Sequence, residues 1–345
     1  MLFIILLPRR RPGNDPRQFA ARSLRDCEHQ AFAIAAARLT LAADAAHTTL
    51  MIGVFDSGLG GLTVLRELTA RFRHADFLYL ADHANVPYGD RPSDEVVELT
   101  RRAVESLYRR GARLVLLGCN TATAVALRRL QQQWLPQSRW KGTHNVLGIV
   151  APTVEAATQT PWAVTSPQYP QKYNTDTIAV FGTTRTITSG VYPEEIRKRC
   201  PKVTIVQQIC SELAGAIEDE ADTQILDGLV RAGVAGVLQS TGGMPPHRAI
   251  LGCTHFPLVE HLFRRHLPPF TRILSQPEVV ADSFEDYLHR RPHYLHGNEG
   301  GRLTLLTTGY PAAVSAKARV FWPDVAAFAA AADQPGFAID LEHPT

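Results

Sequence analysis

Cysteine is scarce and unpaired in this sequence. Cys27, Cys119, Cys200, Cys210 and Cys253 are the five among 345 residues, an odd number, and no two stand in a C-x-x-C spacing. That excludes a disulfide framework and a cysteine-rich zinc site, and it fits a reducing cytoplasm. Long apolar runs are also lacking: none approaches the roughly 20 residues needed to span a bilayer, so no membrane partner is expected. Excess charge is missing too, since Lys+Arg 36 against Asp+Glu 33 leaves +3, too little for a nucleic-acid footprint. No G-x-x-x-x-G-K-[ST] phosphate loop occurs. What is present, 45% apolar and 20% charged residues, is the balance of a globular protein with enough chain for two cored domains.

Residues 1–50 differ from the rest. Leu2–Leu7 is an apolar run of six followed by Arg9, Arg10 and Arg11, the reverse order of a secretory signal, and an Ala/Arg-rich stretch follows from Ala20 to Ala46. This stretch reads as an extension without order of its own, or as an over-extended start, with Met51 the natural beginning just before the first strong strand.

From residue 51 the pattern is strand, turn, helix, repeated. Ile52–Phe55 leads into Asp56-Ser57-Gly58-Leu59-Gly60-Gly61 and the helical run Leu62–Phe72. Phe77–Leu80 is a second strand. Leu114–Leu117 is a third, leading into Gly118-Cys119-Asn120-Thr121 and a helical run over Ala122–Leu130, and Val146–Val150 precedes a helix starting near Thr153. Continuous apolar strands alternating with helices predict a parallel sheet covered on both faces.

The second half repeats the first. Thr177–Phe181 runs into Gly182-Thr183-Thr184-Arg185-Thr186, and Ala249–Leu251 runs into Gly252-Cys253-Thr254-His255. Asp56 to Cys119 spans 63 residues and Thr183 to Cys253 spans 70, a period of two similar domains and not of a solenoid. Between the halves, Pro161–Asp176 lacks periodicity and reads as a surface loop.

Each of Cys119 and Cys253 thus ends a parallel strand just before a helix, the sheet edge where ligands bind in open α/β folds. Helix N-termini there lower a thiol's pKa and hold carboxylates. A buried filler role suits one such cysteine; two in matching places with polar neighbours point to chemistry. A cysteine phosphatase is excluded, because Val125 and Val259 stand where its arginine belongs. The Gly58-Leu59-Gly60-Gly61 turn has Thr63 in place of the third glycine of a dinucleotide loop. Cys27, Cys200 and Cys210 have no comparable context and read as structural.

Four motifs in order, Phe55-Asp56-Ser57-Gly58, Val86-Pro87-Tyr88-Gly89, Gly118-Cys119-Asn120-Thr121-Ala122-Thr123-Ala124 and Leu251-Gly252-Cys253-Thr254-His255-Phe256-Pro257, closely resemble those of the glutamate racemases, from about residue 51 to about 328. The resemblance implies two pseudo-twofold-related α/β domains with mainly parallel sheets and an active site in the interdomain cleft. The first domain would be 51–147 with 260–330 and the second 148–259, leaving 331–345 as a tail. It implies interconversion of L- and D-glutamate for peptidoglycan, with no cofactor and no metal, in a cytoplasmic homodimer. Cys119 would take the proton from the D-enantiomer and Cys253 from the L-enantiomer.

Further residues carry over one by one. Asp56 matches the carboxylate near the first cysteine, there to hold the substrate ammonium, tune the thiol, or merely cap the next helix. His255 matches the histidine that activates the second thiol. Glu218, eight residues after Cys210, matches a glutamate near that histidine, although Glu212, Asp219 and Glu220 lie close by. Ser57, Tyr88, Gly89, Asn120, Thr121 and Thr254 match substrate-holding positions, joined by Thr183 and Thr186 from the second half.

The chain departs from the family at His83-Ala84-Asn85, where a small polar residue and an arginine are usual, and at Leu274-Ser275-Gln276-Pro277, where an acidic residue and a glycine are common. The loops Pro161–Asp176 and Gln239–His247 are longer than usual. A sister racemase acting on aspartate or another amino acid, a Cys253/His255 hydrolase and a binding protein on a racemase scaffold stay open as alternatives.

Overall fold

The computed structural model describes residues 51–331 apart from 162, 165, 168, 170–175 and 295–300. The extension expected over 1–50, the tail beyond 331 and part of the Pro161–Asp176 loop lie outside the described residues.

Ten strands occur among the described residues: β1 Met51–Asp56, β2 Asp76–Ala81, β3 Ala112–Leu117, β4 Asn145–Gly148, β5 Thr177–Gly182, β6 Thr204–Ile209, β7 Arg248–Gly252, β8 Arg272–Leu274, β9 Leu303–Thr307 and β10 Ala329–Ala330. They build two sheets, ordered β10-β9-β2-β1-β3-β4 and β6-β5-β7-β8, in which every pairing is parallel. Without the added β9 and β10, each sheet runs second, first, third, fourth. The repeat read in the sequence is therefore a repeat of topology, two α/β halves related by pseudo-twofold symmetry.

The strands are apolar on both faces because both faces are covered. Val54, Phe55, Val115 and Leu117 in the first sheet are fully buried, as are Val180, Phe181, Ile250 and Leu251 in the second. The helix Leu62–Arg71 turns Leu62, Leu65 and Leu68 toward its sheet at helical spacing. Three core clusters fill most of the first half and its partner, and a fourth joins the helix Val150–Thr158 to β5 and β7.

Two boundaries differ from the sequence expectation for local reasons. The helix Asn120–Arg129 starts before Ala122 because Cys119 caps it, its sulfur accepting from the Ala122 N–H at 3.4 Å. The fourth strand stops at Gly148, not Val150, and the next helix begins at Val150 instead of near Thr153. The chain also returns to the first half later than residue 260. Arg272–Leu274 completes the second sheet by pairing with β7, and the following helix Gln276–His289 then buries Val280, Ala281, Phe284 and Leu288 in the first half's core. Among the described residues, no helix is long and apolar enough to cross a membrane.

Phe284 anchors that returning helix: it is 3% exposed and meets Phe72 edge-on at 5.8 Å between ring centroids. Phe284→Ala is expected to remove about 3–5 kcal/mol of stability, read by denaturant unfolding. A loss below about 1 kcal/mol would show that the helix does not depend on this packing.

Candidate active site

In a sheet ordered second, first, third, fourth, the connections leaving the first and third strands diverge, and a crevice opens at their carboxyl ends. Each half puts its chemistry there. β1 ends in Asp56, with Ser57 next, and β3 is followed by Cys119; β5 is followed by Thr183, and β7 by Cys253. Side chains from the two halves meet across this edge. Thr121 Oγ1 lies 3.0 Å from Thr183 Oγ1 and 3.2 Å from Thr186 Oγ1, and the Thr63 hydroxyl lies within 3.1 Å of the Thr254 carbonyl. Gly60 has no room for a side chain, because a Cβ would lie 2.4 Å from His255 Nδ1 and 2.5 Å from Thr254 Oγ1.

Cys119 is 6% exposed and lies 3.2 Å from the Ser57 hydroxyl. Burial, reinforced by the Asp56 carboxylate, pushes its thiol up to about 12, although the Ala122 N–H and Ser57 favour the thiolate. Burial therefore favours the thiol over the thiolate at neutral pH. Asp56 is itself buried, which raises its pKa, while the Gly61 N–H at 2.7 Å, His255 and Tyr79 oppose that rise. Asp56 accepts from the backbone N–H of Gly61, the residue that precedes the next helix.

Cys253, also 6% exposed, belongs to a different environment. Its sulfur is 3.7 Å from His255 Nδ1, and His255 Nε2 is 3.3 Å from Glu218 Oε2. Burial disfavours a charged imidazole, but Cys253 and Glu218 outweigh it and push His255 up to about 10. Burial likewise raises Glu218, yet His255, His83 and Lys317 bring it below its usual value. Thiol, imidazole and carboxylate form a row of nucleophile or base, partner and orienting group. Of the acidic residues near this position in the sequence, the structure brings Glu218 to the histidine.

The other expected residues divide into two groups. Thr121, Thr183, Thr186 and Thr254 line the junction, and Gly89 packs on Thr183, where a Cβ would come within 3.2 Å. Tyr88 follows a cis Val86–Pro87 bond, but its hydroxyl donates to Asp82 at 2.6 Å, so the segment offers its backbone more readily than its phenol. Asn120 is tied in a buried network: its amide reaches Gln276 Oε1 at 2.5 Å, and its oxygen accepts from Tyr192 at 2.8 Å and from Gln276 at 3.0 Å. Sequence reading missed Tyr79, which reaches Asp56, as well as Tyr192, Gln276 and His83. The only signal for the last two was their departure from the family pattern.

The chain is similar to known proteins in sequence and in fold. The sequence is 48% identical over 276 residues to a glutamate racemase of Phenylobacterium zucineum, covering 79% of this chain and 97% of that one. It is 47% identical over 285 residues to a glutamate racemase of Caulobacter sp. strain K31, covering 82% and 100%. Among solved structures, the chain superposes on glutamate racemase isoform RacE1 of Bacillus anthracis with a TM-score of 0.69 at 26% identity, covering 82% of this chain and 98% of that one. It superposes on the glutamate racemase of Thermus thermophilus in complex with beta-chloro-D-alanine with a TM-score of 0.66 at 27% identity, covering 82% and 97%. The sequence matches no protein-family model.

Because Glu218, after Cys253, helps hold up the protonated imidazole, Glu218→Gln is expected to lower the His255 titration midpoint by about one unit, read from its imidazole NMR signals. The raised midpoint stabilises the fold fully below pH 6.5, and this contribution is lost as pH climbs toward about 10. Thermal stability should fall across that window in the wild type and less steeply in Glu218→Gln.

Proposed function

The chain belongs to the glutamate racemase family, and from that premise we propose that it interconverts L- and D-glutamate with Cys119 and Cys253 as its two acid–base groups. The observation that carries this is the pair of buried thiols at equivalent strand ends of two halves with one topology. Inverting an α-carbon takes a proton from one face and returns one to the other. A pseudo-twofold fold supplies one thiol per face, one as thiolate and the other as thiol in each direction.

The two arms are activated differently. On the first side, burial, reinforced by the Asp56 carboxylate, raises the Cys119 thiol; a substrate ammonium settling beside Asp56 would cancel that negative charge and ease ionisation of the thiol when substrate is bound. On the second side, the His255 imidazole takes the Cys253 proton and Glu218 stabilises the resulting charge. In this reading Cys253 takes the proton from L-glutamate and Cys119 from D-glutamate. Ser57, Thr121 and Thr254 hold the α-carboxylate end through their hydroxyls, and Asn120 through its backbone N–H at the helix N-terminus. Tyr88, Gly89, Thr183 and Thr186 hold the distal carboxylate.

The reaction so described draws on protein groups alone, without cofactor or metal. A supply of D-glutamate for peptidoglycan, a cytoplasmic location and a homodimer belong to the same reading and rest on the family resemblance. A second reading is favoured by one feature, the Cys253–His255–Glu218 row, which also suits a hydrolase in which Cys253 attacks a carbonyl.

Cys119→Ser and Cys253→Ser separate the two. Each is expected to lower the rate of glutamate racemisation about 100- to 10,000-fold, followed polarimetrically with purified protein and no added cofactor. Racemisation that survives Cys119→Ser would defeat the two-thiol reading.

A further inference from the structure

Glu218 has a second imidazole beside it. His83 Nδ1 lies 3.7 Å from Glu218 Oε1, the oxygen that His255 does not use. That nitrogen is buried and makes no hydrogen bond in the structure. The distance is too long for a formed bond but short enough for one to form with a small shift of either group. Gly309 lies against His83 and leaves it room, since a Cβ there would come within 3.2 Å of His83 Cβ and 3.3 Å of its ring.

The two imidazoles come from opposite halves. His83 follows β2 at the carboxyl edge of the first sheet, whereas Glu218 ends the helix Ser211–Glu218 and His255 follows β7 in the second half.

We propose that His83 is a positioning residue for the Cys253 arm, donating from Nδ1 to Glu218 Oε1 and so drawing the carboxylate's charge away from His255. Glu218 has a fixed amount of negative charge to share. A donor on Oε1 leaves Oε2 a weaker partner for His255, and His255 in turn holds its proton less tightly and returns it more readily to Cys253. Because the donor belongs to the other half, this tuning depends on how closely the halves approach. The remaining charged groups around the carboxylate are Lys317, which pairs with Asp219 at 2.9 Å, and Asp56, which faces His255. Neither reaches Oε1 as a hydrogen-bond donor.

The inference rests on the assignment of Cys253 and His255 to the second arm, but its test does not require activity. His83→Ser removes the imidazole and shortens the side chain, and His83→Asn keeps an N–H donor near the Nδ1 position without an imidazole. The His255 imidazole is titrated by NMR in the substrate-free wild type and in both variants. His83→Ser is expected to raise the His255 midpoint by about half a unit, and His83→Asn to hold it near the wild-type value. A midpoint unmoved in His83→Ser, or moved equally in His83→Asn, would overturn the proposal. Loss of racemisation in the wild type would instead strike the two-thiol reading and leave this result standing.

Discussion

A parallel sheet places the carboxyl ends of all its strands on one edge, and the order second, first, third, fourth opens a crevice on that edge between the first and third strands. Two such sheets in one chain, facing each other through their threonines, bring two crevices together. Everything chemical in the molecule follows from that placement. The thiols need no long loops to reach the junction, because the backbone delivers each at the end of a buried strand, where packing fixes its position. Strand pairing and the cores behind it hold the geometry that a two-sided proton transfer needs.

The symmetry of the backbone is not carried into the electrostatics. Cys119 sits beside a carboxylate and a hydroxyl, and burial keeps it a thiol. Cys253 sits beside an imidazole that it and, less strongly, the Glu218 carboxylate favour in the charged form. One thiol thus has a carboxylate for its charged neighbour and the other an imidazole. L- and D-glutamate have equal free energies in water, so the enzyme has no thermodynamic preference to serve. The difference between the arms sets how each proton is handled, not which product accumulates.

Much of this was legible in the residues. The apolar strands before Asp56, Cys119, Thr183 and Cys253 were readable because a doubly covered strand is a continuous apolar run. The repeat was readable because each run ends in a small polar motif. β6 was not, since it is an edge strand whose Gln207 and Gln208 break any apolar pattern. β8 has only three residues, too few for a period to show, and its absence from the reading moved the expected domain boundary from about 275 to 260. In the site, the thiols, Asp56 and His255 lay in motifs. Tyr79 and Tyr192 reach the site from a strand and a helix remote in sequence, and nothing local distinguishes them from core tyrosines. His83 and Gln276 showed only as departures from a pattern, and their partners, Glu218 and Asn120, lie 135 and 156 residues away.

The central claim is that two different groups serve the two faces of the α-carbon, and isotope placement tests it most directly. L-glutamate is incubated with the protein in heavy water, and the early D-glutamate and the unreacted L-glutamate are analysed for α-deuterium. With two thiols, the new α-hydrogen comes from a Cys119 already exchanged with solvent, so early D-glutamate carries deuterium while recovered L-glutamate does not. Deuterium appearing in the recovered L-glutamate as fast as in the product, or protium retained in the D-glutamate, would mean that a single group serves both faces and would contradict the account.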